Sequence, residues 1–312
     1  MKKVLTVIVV LVGSMVVYAQ DTDFNFYDDG DGVTITMYMS KNAAAEIPSQ
    51  VNGKPVITIG EKAFARKRLV SVLIPEGVTA LEEGAFADNR LTSVVIPDGI
   101  AFIGDRAFSN NHLMSVTIGA NAASIGERAF YGNRLAGVVI PEGVTALEEG
   151  AFYGNRLTSV VIPDGVTFIG DRAFSNNQLT DVTIGAGVAS IGYRAFYSNR
   201  LASVDIPEGV ALIGEGAFAR NQLTSVQISN HVAVIGYEAF ASNRLTSVVI
   251  PDGVVFIGKR AFADNQLRSI AIGANVRLGD NALGDKFNRF YNDNNRRAGT
   301  YTYRNSEWSF TD

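Results

Sequence analysis

From Leu69 onward the apolar positions fall into a fixed frame. A leucine opens a unit at Leu69, Leu91, Leu113, Leu135, Leu157, Leu179, Leu201, Leu223, Leu245 and Leu267, always 22 residues apart. A phenylalanine keeps the same step, from Phe64 and Phe86 through Phe152 and Phe174 to Phe240 and Phe262. Within Leu157–Gln178 the residue types assign themselves. Leu157, Val160 and Ile162 face inward while Ser159 and Val161 face outward, the alternation of a short strand with one apolar face. Pro163-Asp164-Gly165 then stops the strand, since proline fixes φ and removes a donor while glycine permits positive φ. Val166 and Ile169 fit a second short extended segment on the far side of a coil. Gly170 turns again, and Ala173-Phe174 returns the largest side chain to the core.

Asn177 occupies the last corner, as do Asn89, Asn111, Asn133, Asn155, Asn199, Asn221, Asn243 and Asn265 in their units. An amide stacked turn upon turn pairs backbone groups that burial would otherwise orphan, at about 1–3 kcal/mol each. One unit is too short to hold itself together, and stacking lets it share each apolar face with two neighbours. The expected fold is a β-rich repeat solenoid. A period in the twenties headed by L-x-x-V-x-I makes it a leucine-rich-repeat arc of about ten 22-residue coils with short strands. A longer rhythm lies over the short one: "IPEGVTALEEGAF" begins at Ile74 and again at Ile140, a shift of 66. The turns after the strand follow it, as Pro75, Pro97, Gly119, then Pro141, Pro163, Gly185, then Pro207 and Ser229.

A stack has two apolar ends, and both depart from the pattern as capping by irregular or hairpin segments requires. "FYDDGDGVTITMYM" reads as a hairpin, and "AGTYTYRNSEWSF" as a second one lidding the last coil. The expected organisation is a signal peptide at 1–19, an N-terminal cap with an incomplete first coil at 20–68, the solenoid at 69–285 and a C-terminal cap at 286–312. The leader reading rests on Lys2 and Lys3, the apolar run Val4 to Val17 and the small-residue cleavage site Val17-Tyr18-Ala19, cut after Ala19. It implies a secreted or cell-surface chain with no membrane span after cleavage, the periplasm and the outer surface both open. Removing the leader leaves 25 basic against 31 acidic residues, a charge of −6, with nothing basic enough to attract nucleic acid. There is no cysteine, so the fold holds by packing without disulfides.

Catalysis needs a convergent set of polar groups, and the sequence offers none; no cofactor or metal is expected. His112 and His231 sit at different positions of the unit and lack partners at ligand spacing. Asp21, Asp23 and Asn25 begin a calcium-loop spacing, but Phe26 stands where glycine is required and Gly32 where the bidentate glutamate belongs. Glu82-Glu83 and Glu148-Glu149 read as solvated loop carboxylates.

The leucine strands offer a surface instead, read as one concave sheet. Its candidate partner-binding positions are Thr92, Ser93, Val95, Thr158, Ser159, Val161, Thr180, Asp181, Thr183, Ser203, Asp205, Ser225, Gln227, Ser247 and Val249. These are small, hydroxylated and almost uncharged, which suits contact with an extended protein surface. Asp164, Phe168, Asp171 and Arg172 also remain free to face a partner. Phe102, Phe168 and Phe256 recur beside the second segment as a possible apolar contact line, and Arg90, Arg134, Arg156, Arg200 and Arg244 form a charged column.

The run L-x-x-V-x-I-P-x-G-V-x-x-I-G-x-x-A-F, carried over about residues 45 to 285, resembles the BspA-type, or Treponema-type, leucine-rich repeat of bacterial surface proteins. Many units of that family are a residue longer and carry cysteine where this chain has asparagine. The resemblance implies an exported or cell-surface protein that binds matrix proteins, host cells or other bacteria, hence a non-catalytic adhesin. A structural or assembly component of the cell envelope is the alternative.

Overall fold

The computed structural model describes residues 23–28 and 30–311, so the expected leader lies outside the described residues. The repeats wind into a β-solenoid in which nearly every turn carries two short parallel strands. One is the leucine strand, such as Ser159–Val161. The other is the second segment, such as Phe168–Ile169. The second segments pair in register without a break, Ala80 with Phe102, Ser124, Ala146, Phe168 and Ser190 in succession, and the ladder runs on to Arg277–Leu278.

The leucine strands behave differently from the single sheet that the sequence suggests. Apart from the C-terminal one, which the end hairpin extends, they form two-strand islands: Ser93–Val95 with Ser115–Thr117, Ser159–Val161 with Asp181–Thr183, and Ser203–Asp205 with Ser225–Gln227. Ser247–Ile250 pairs likewise with Ser269–Ile272. Inside the repeat array, every island joins a turn ending in proline to a following turn that begins with Gly119, Gly185, Ser229 or Gly273. Where the following turn begins with Pro97, Pro141, Pro163, Pro207 or Pro251, no ladder forms. At the N-terminal edge, by contrast, Ala44–Glu46 pairs with Ser71–Leu73 although Pro75 follows, and the Ile47 amide donates to Leu73 O at 3.2 Å. Sterics explain the rule. A Cβ on Gly119 would run into Pro97 O, and one on Gly185 into Pro163 O, so the close approach at these two junctions leaves no room for a proline ring. Once the turns are close, the Ile96, Ile162 and Ile206 amides donate to Thr117 O, Thr183 O and Gln227 O, each at 2.9 Å. The Asp98 and Asp164 carboxylates accept from the Ala120 and Ala186 amides at 2.8 Å, adding a clamp to the same junctions. The residue that opens the following turn, and not a fixed three-turn period, places the islands, which begin three turns apart once (Ser93 to Ser159) and two turns apart afterwards (Ser203, Ser247).

The core is a column. Phe64 to Phe262 stack ring on ring with centroids 5.0–5.6 Å apart, the parallel-displaced contact that aromatic pairs favour. Around them Leu157, Ile162, Val166, Ile169 and Ala173, with their equivalents, are buried. The asparagine corner works as expected. Asn155 accepts from the Leu135 amide at 3.0 Å and donates to Phe130 O at 2.8 Å and Phe152 O at 3.1 Å, so each amide clamps its own turn to the preceding one.

Backbone strain falls elsewhere than the sequence suggests. Gly165 and Gly170 are absent from the positive-φ residues. Gly170 is needed for closeness, because a Cβ there would lie 2.5 Å from Leu147 O. The left-handed positions are instead Arg172 and Asn176 in this turn, and their equivalents in the others.

Both ends are lidded by aromatic side chains. At the N-terminal end Phe24–Asp28 and Val33–Tyr38 form the expected antiparallel hairpin, and Tyr38 stacks on Phe64 at 5.2 Å. At the other end Gly299–Arg304 adds antiparallel to Ser269–Ile272, and Glu307–Thr311 completes the hairpin. A nine-residue helix, Asp285–Asp293, precedes it where the sequence pattern suggests only irregular or hairpin structure. Its signal was present: Phe287, Phe290 and Tyr291 stand at i, i+3 and i+4, and Phe287 and Tyr291 are buried under the lid.

Candidate functional site

Every candidate on the leucine strands is exposed, from Thr92 and Ser93 to Ser247 and Val249. The alternation that buries Val160 and Ile162 turns Ser159 and Val161 outward, and neighbouring turns place like positions side by side. Within an island they meet directly: Ser159 opposite Asp181, Val161 opposite Thr183, Ser203 opposite Ser225 and Asp205 opposite Gln227. Between islands no ladder connects them. The candidate surface is therefore a row of separate patches. Val95, Val161 and Val249 are 61–64% exposed and Val139 is 83% exposed, an apolar line that stability does not require. Some candidates are already engaged. The Thr158 hydroxyl donates to Ala136 O, and the Thr180 hydroxyl to Thr158 O, so their polar atoms serve the stack.

Three residues left free by the sequence reading are tied down. Asp164 caps Ala186, and Asp171 accepts from the Tyr193 amide at 2.7 Å, because stacked corners present donors that a short carboxylate reaches. Arg172 lies 3.7 Å from Glu149 and over the Tyr193 ring at 4.7 Å. Phe168 does face solvent with Phe102 and Phe256, 38–63% exposed, on the outer side of the unbroken ladder.

The corner carrying Arg172 is a second surface that the sequence reading did not assemble. Arg106, Arg128, Arg172, Arg194 and Arg260 occupy the same left-handed position of their turns, with φ of 52–57°. Holding a branched-free but Cβ-bearing residue there costs on the order of 1–2 kcal/mol per residue. Ion pairs knit the column: Arg128 meets Glu127 at 2.9 Å and Glu149 at 2.8 Å, and Arg106 meets Glu127 at 3.1 Å. Exposed pairs of this kind return about 0–1 kcal/mol, so the arginines are not explained by stability. Glycine takes the position only at Gly84, Gly150 and Gly216, three turns apart, and an open cavity lies at each. The one signal in the sequence was the 66-residue shift between the "EEG" triplets at Glu82 and Glu148.

Among the described residues no group of three His, Asp or Glu side chains is placed to hold a metal ion. His231 pairs with Glu208 at 2.5 Å, both exposed, and His112 lies apart from it in another turn. No helix among the described residues is long and apolar enough to cross a membrane.

Residues 57–180 and 167–288 match the BspA type Leucine rich repeat region, in six copies. The chain belongs to this family. Among solved structures, a leucine-rich repeat protein from Bacteroides ovatus is similar at a TM-score of 0.63 and 22% identity, over 83% of this chain and 65% of that one. The pneumococcal vaccine antigen PcpA is similar at 0.51 and 17% identity, over 86% of this chain and 85% of that one. A leucine rich cell surface protein from Faecalibacterium prausnitzii is 26% identical over 86% of this chain and 97% of its own, at a TM-score of 0.44. Among proteins with curated descriptions, none matches this sequence. BspA-type members include bacterial surface proteins, and leucine-rich-repeat regions generally bind proteins.

Proposed function

We propose that this chain is an exported, non-catalytic adhesin that binds a protein on a host matrix, a host cell or another bacterium through its leucine-strand patches. Export would depend on the leader at 1–19. The observation that carries the reading is the exposed line of Val95, Val139, Val161 and Val249 beside serine and threonine hydroxyls. Val139 and Val161 lie in adjacent turns, and Val95 and Val249 recur at the same outward position beyond Thr117 on one side and Thr183, Asp205 and Gln227 on the other. Exposed apolar side chains of this kind mark interaction surfaces, and nothing in the coil needs them. Membership of a family of surface proteins supports the same conclusion.

Solid-phase binding of the leader-less chain to matrix proteins, intact host cells and bacteria tests it. Saturable binding to one of them, lost at least tenfold in a Val95→Asp/Val161→Asp/Val249→Asp triple variant that still melts cooperatively, is the expected result. Binding to none, together with recovery of the protein as envelope multimers indifferent to the triple substitution, would favour the structural role instead.

A further inference from the structure

The notch at Gly150 is a gap in a column. In the turns before and after it, Arg128 and Arg172 stand at the same left-handed position, and their side chains rim the space that a residue-150 side chain would fill. The cavity holds about 410 Å³, within the range of small-ligand sites. Its wall is aromatic: Tyr131 and Tyr153, half-buried, stack at 5.1 Å with their planes 11° apart. The Tyr153 hydroxyl accepts from Asn176 Nδ2 at 2.6 Å, which fixes the ring. Ser109, Asn110 and Glu149 complete the lining.

The charges in this notch are matched. Arg128 bridges Glu127 and Glu149, and Arg106 reaches Glu83 at 3.5 Å and Glu127 at 3.1 Å. A set already neutralised has little net pull on a phosphate, sulfate or carboxylate. What it presents is a group of positioned donors and acceptors beside a ring wall. Guanidinium N–H groups donate to hydroxyls, carboxylates accept from them, and aromatic surfaces cover the C–H faces of a pyranose. We propose that the Gly150 notch is a carbohydrate subsite for uncharged sugar rings. Gly84 and Gly216 open the same corner three turns to either side, with cavities of about 480 and 170 Å³, but Ala65 and Ala87 stand at Gly84 where the tyrosine wall would be, and at Gly216 Tyr197 stands alone. The three lie three coil spacings apart, roughly 14 Å each, along one edge of the solenoid. The ring wall is complete only at Gly150, which makes that notch the sugar-binding centre of the edge. Tyr197, near Gly216, stays occupied by Arg194 and Arg220 at 4.9 and 5.6 Å, so the Gly150 notch, whose stacked tyrosine pair is not capped by an arginine in this way, is the strongest of the three.

The proposal does not rest on the leucine-strand reading, and its test separates the two. The leader-less chain is screened against an array of neutral and acidic oligosaccharides, and the best neutral binder is titrated by calorimetry at low and high salt. Gly150→Arg extends the arginine column in the conformation its neighbours already hold, so the coil is retained and the notch is filled. Tyr153→Ala removes the wall by a second route. Saturable binding of a neutral oligosaccharide, changed less than twofold by salt and weakened at least tenfold by both variants, is expected; the valine triple variant should bind it unchanged. Binding to no neutral glycan, binding only to acidic ones and lost with salt, or affinity indifferent to Gly150→Arg and Tyr153→Ala would each overturn the assignment.

Discussion

The two sides of each coil solve the stacking problem differently. On the second-segment side every turn pairs with both neighbours, from Lys54–Ile59 to Arg277–Leu278, and beneath it lies the phenylalanine column. On the leucine-strand side pairing is intermittent, and from Ser93 onward it follows whether the next turn begins with proline or with a smaller residue that comes close. One side is committed to holding turns together. The other keeps exposed valines and hydroxyls that stability does not use. A solenoid needs only one unbroken ladder, which leaves the opposite strands free to vary.

The largest expected contrast lies within a single turn. Phe152→Ala removes a ring stacked on both sides, at 5.3 and 5.4 Å. It should cost about 3–5 kcal/mol in denaturant unfolding. Val139→Ser, on the exposed side of the same turn, should stay within about 0.5 kcal/mol. Comparable losses would erase the distinction. Asn155→Ala leaves the Leu135 amide and the Phe130 carbonyl without that partner, and a loss of about 2–3 kcal/mol is expected by the same assay. Gly185→Pro sharpens the comparison on the weaker side. It should open the Ser159–Val161/Asp181–Thr183 island at a cost of about 1–2 kcal/mol, the worth of a bond or two. The unbroken ladder should persist, read by amide chemical shifts. The smallest effect is at alkaline pH. Burial raises the phenol pKa of Tyr38 in one cap and of Tyr291 and Tyr301 in the other. Folding therefore favours the protonated phenols. Their contribution is complete below the ordinary value near 10 and declines as pH rises through the folded values. The ends should fray first in alkali, seen as earlier loss of hydrogen-exchange protection in the two caps than in the central turns.

Much of this architecture is legible in the sequence because each turn meets nearly the same environment. A position that faces the column is phenylalanine ten times over, and the corner that must bond three backbone groups is asparagine. Features that depend on how adjacent turns differ are harder to read. Gly119 and Gly185 look like turn residues, yet they act by admitting a neighbouring carbonyl. Arg128 and Arg172 look like solvated charges, yet their backbones are left-handed. Asp164 looks free until the next turn supplies Ala186 N. The Gly150 notch exists only because arginines flank it in space, 22 residues away on either side. The candidate valines and serines are exposed as their alternation requires, but their grouping into islands belongs to the neighbouring turns.

Native-state hydrogen exchange tests the central claim most directly, because the pairing rule assigns a fate to each isoleucine that ends a leucine strand. Ile162 donates to Thr183 O across a junction closed by Gly185, whereas Ile184 faces a turn that begins with Pro207. The Ile96, Ile162 and Ile206 amides should be protected nearly as well as ladder amides such as Gly170, which donates to Leu147 O at 2.8 Å. Ile118, Ile140 and Ile184 should exchange at least tenfold faster. Equal protection at all six isoleucines would contradict a coil closed along one side and paired only in islands along the other.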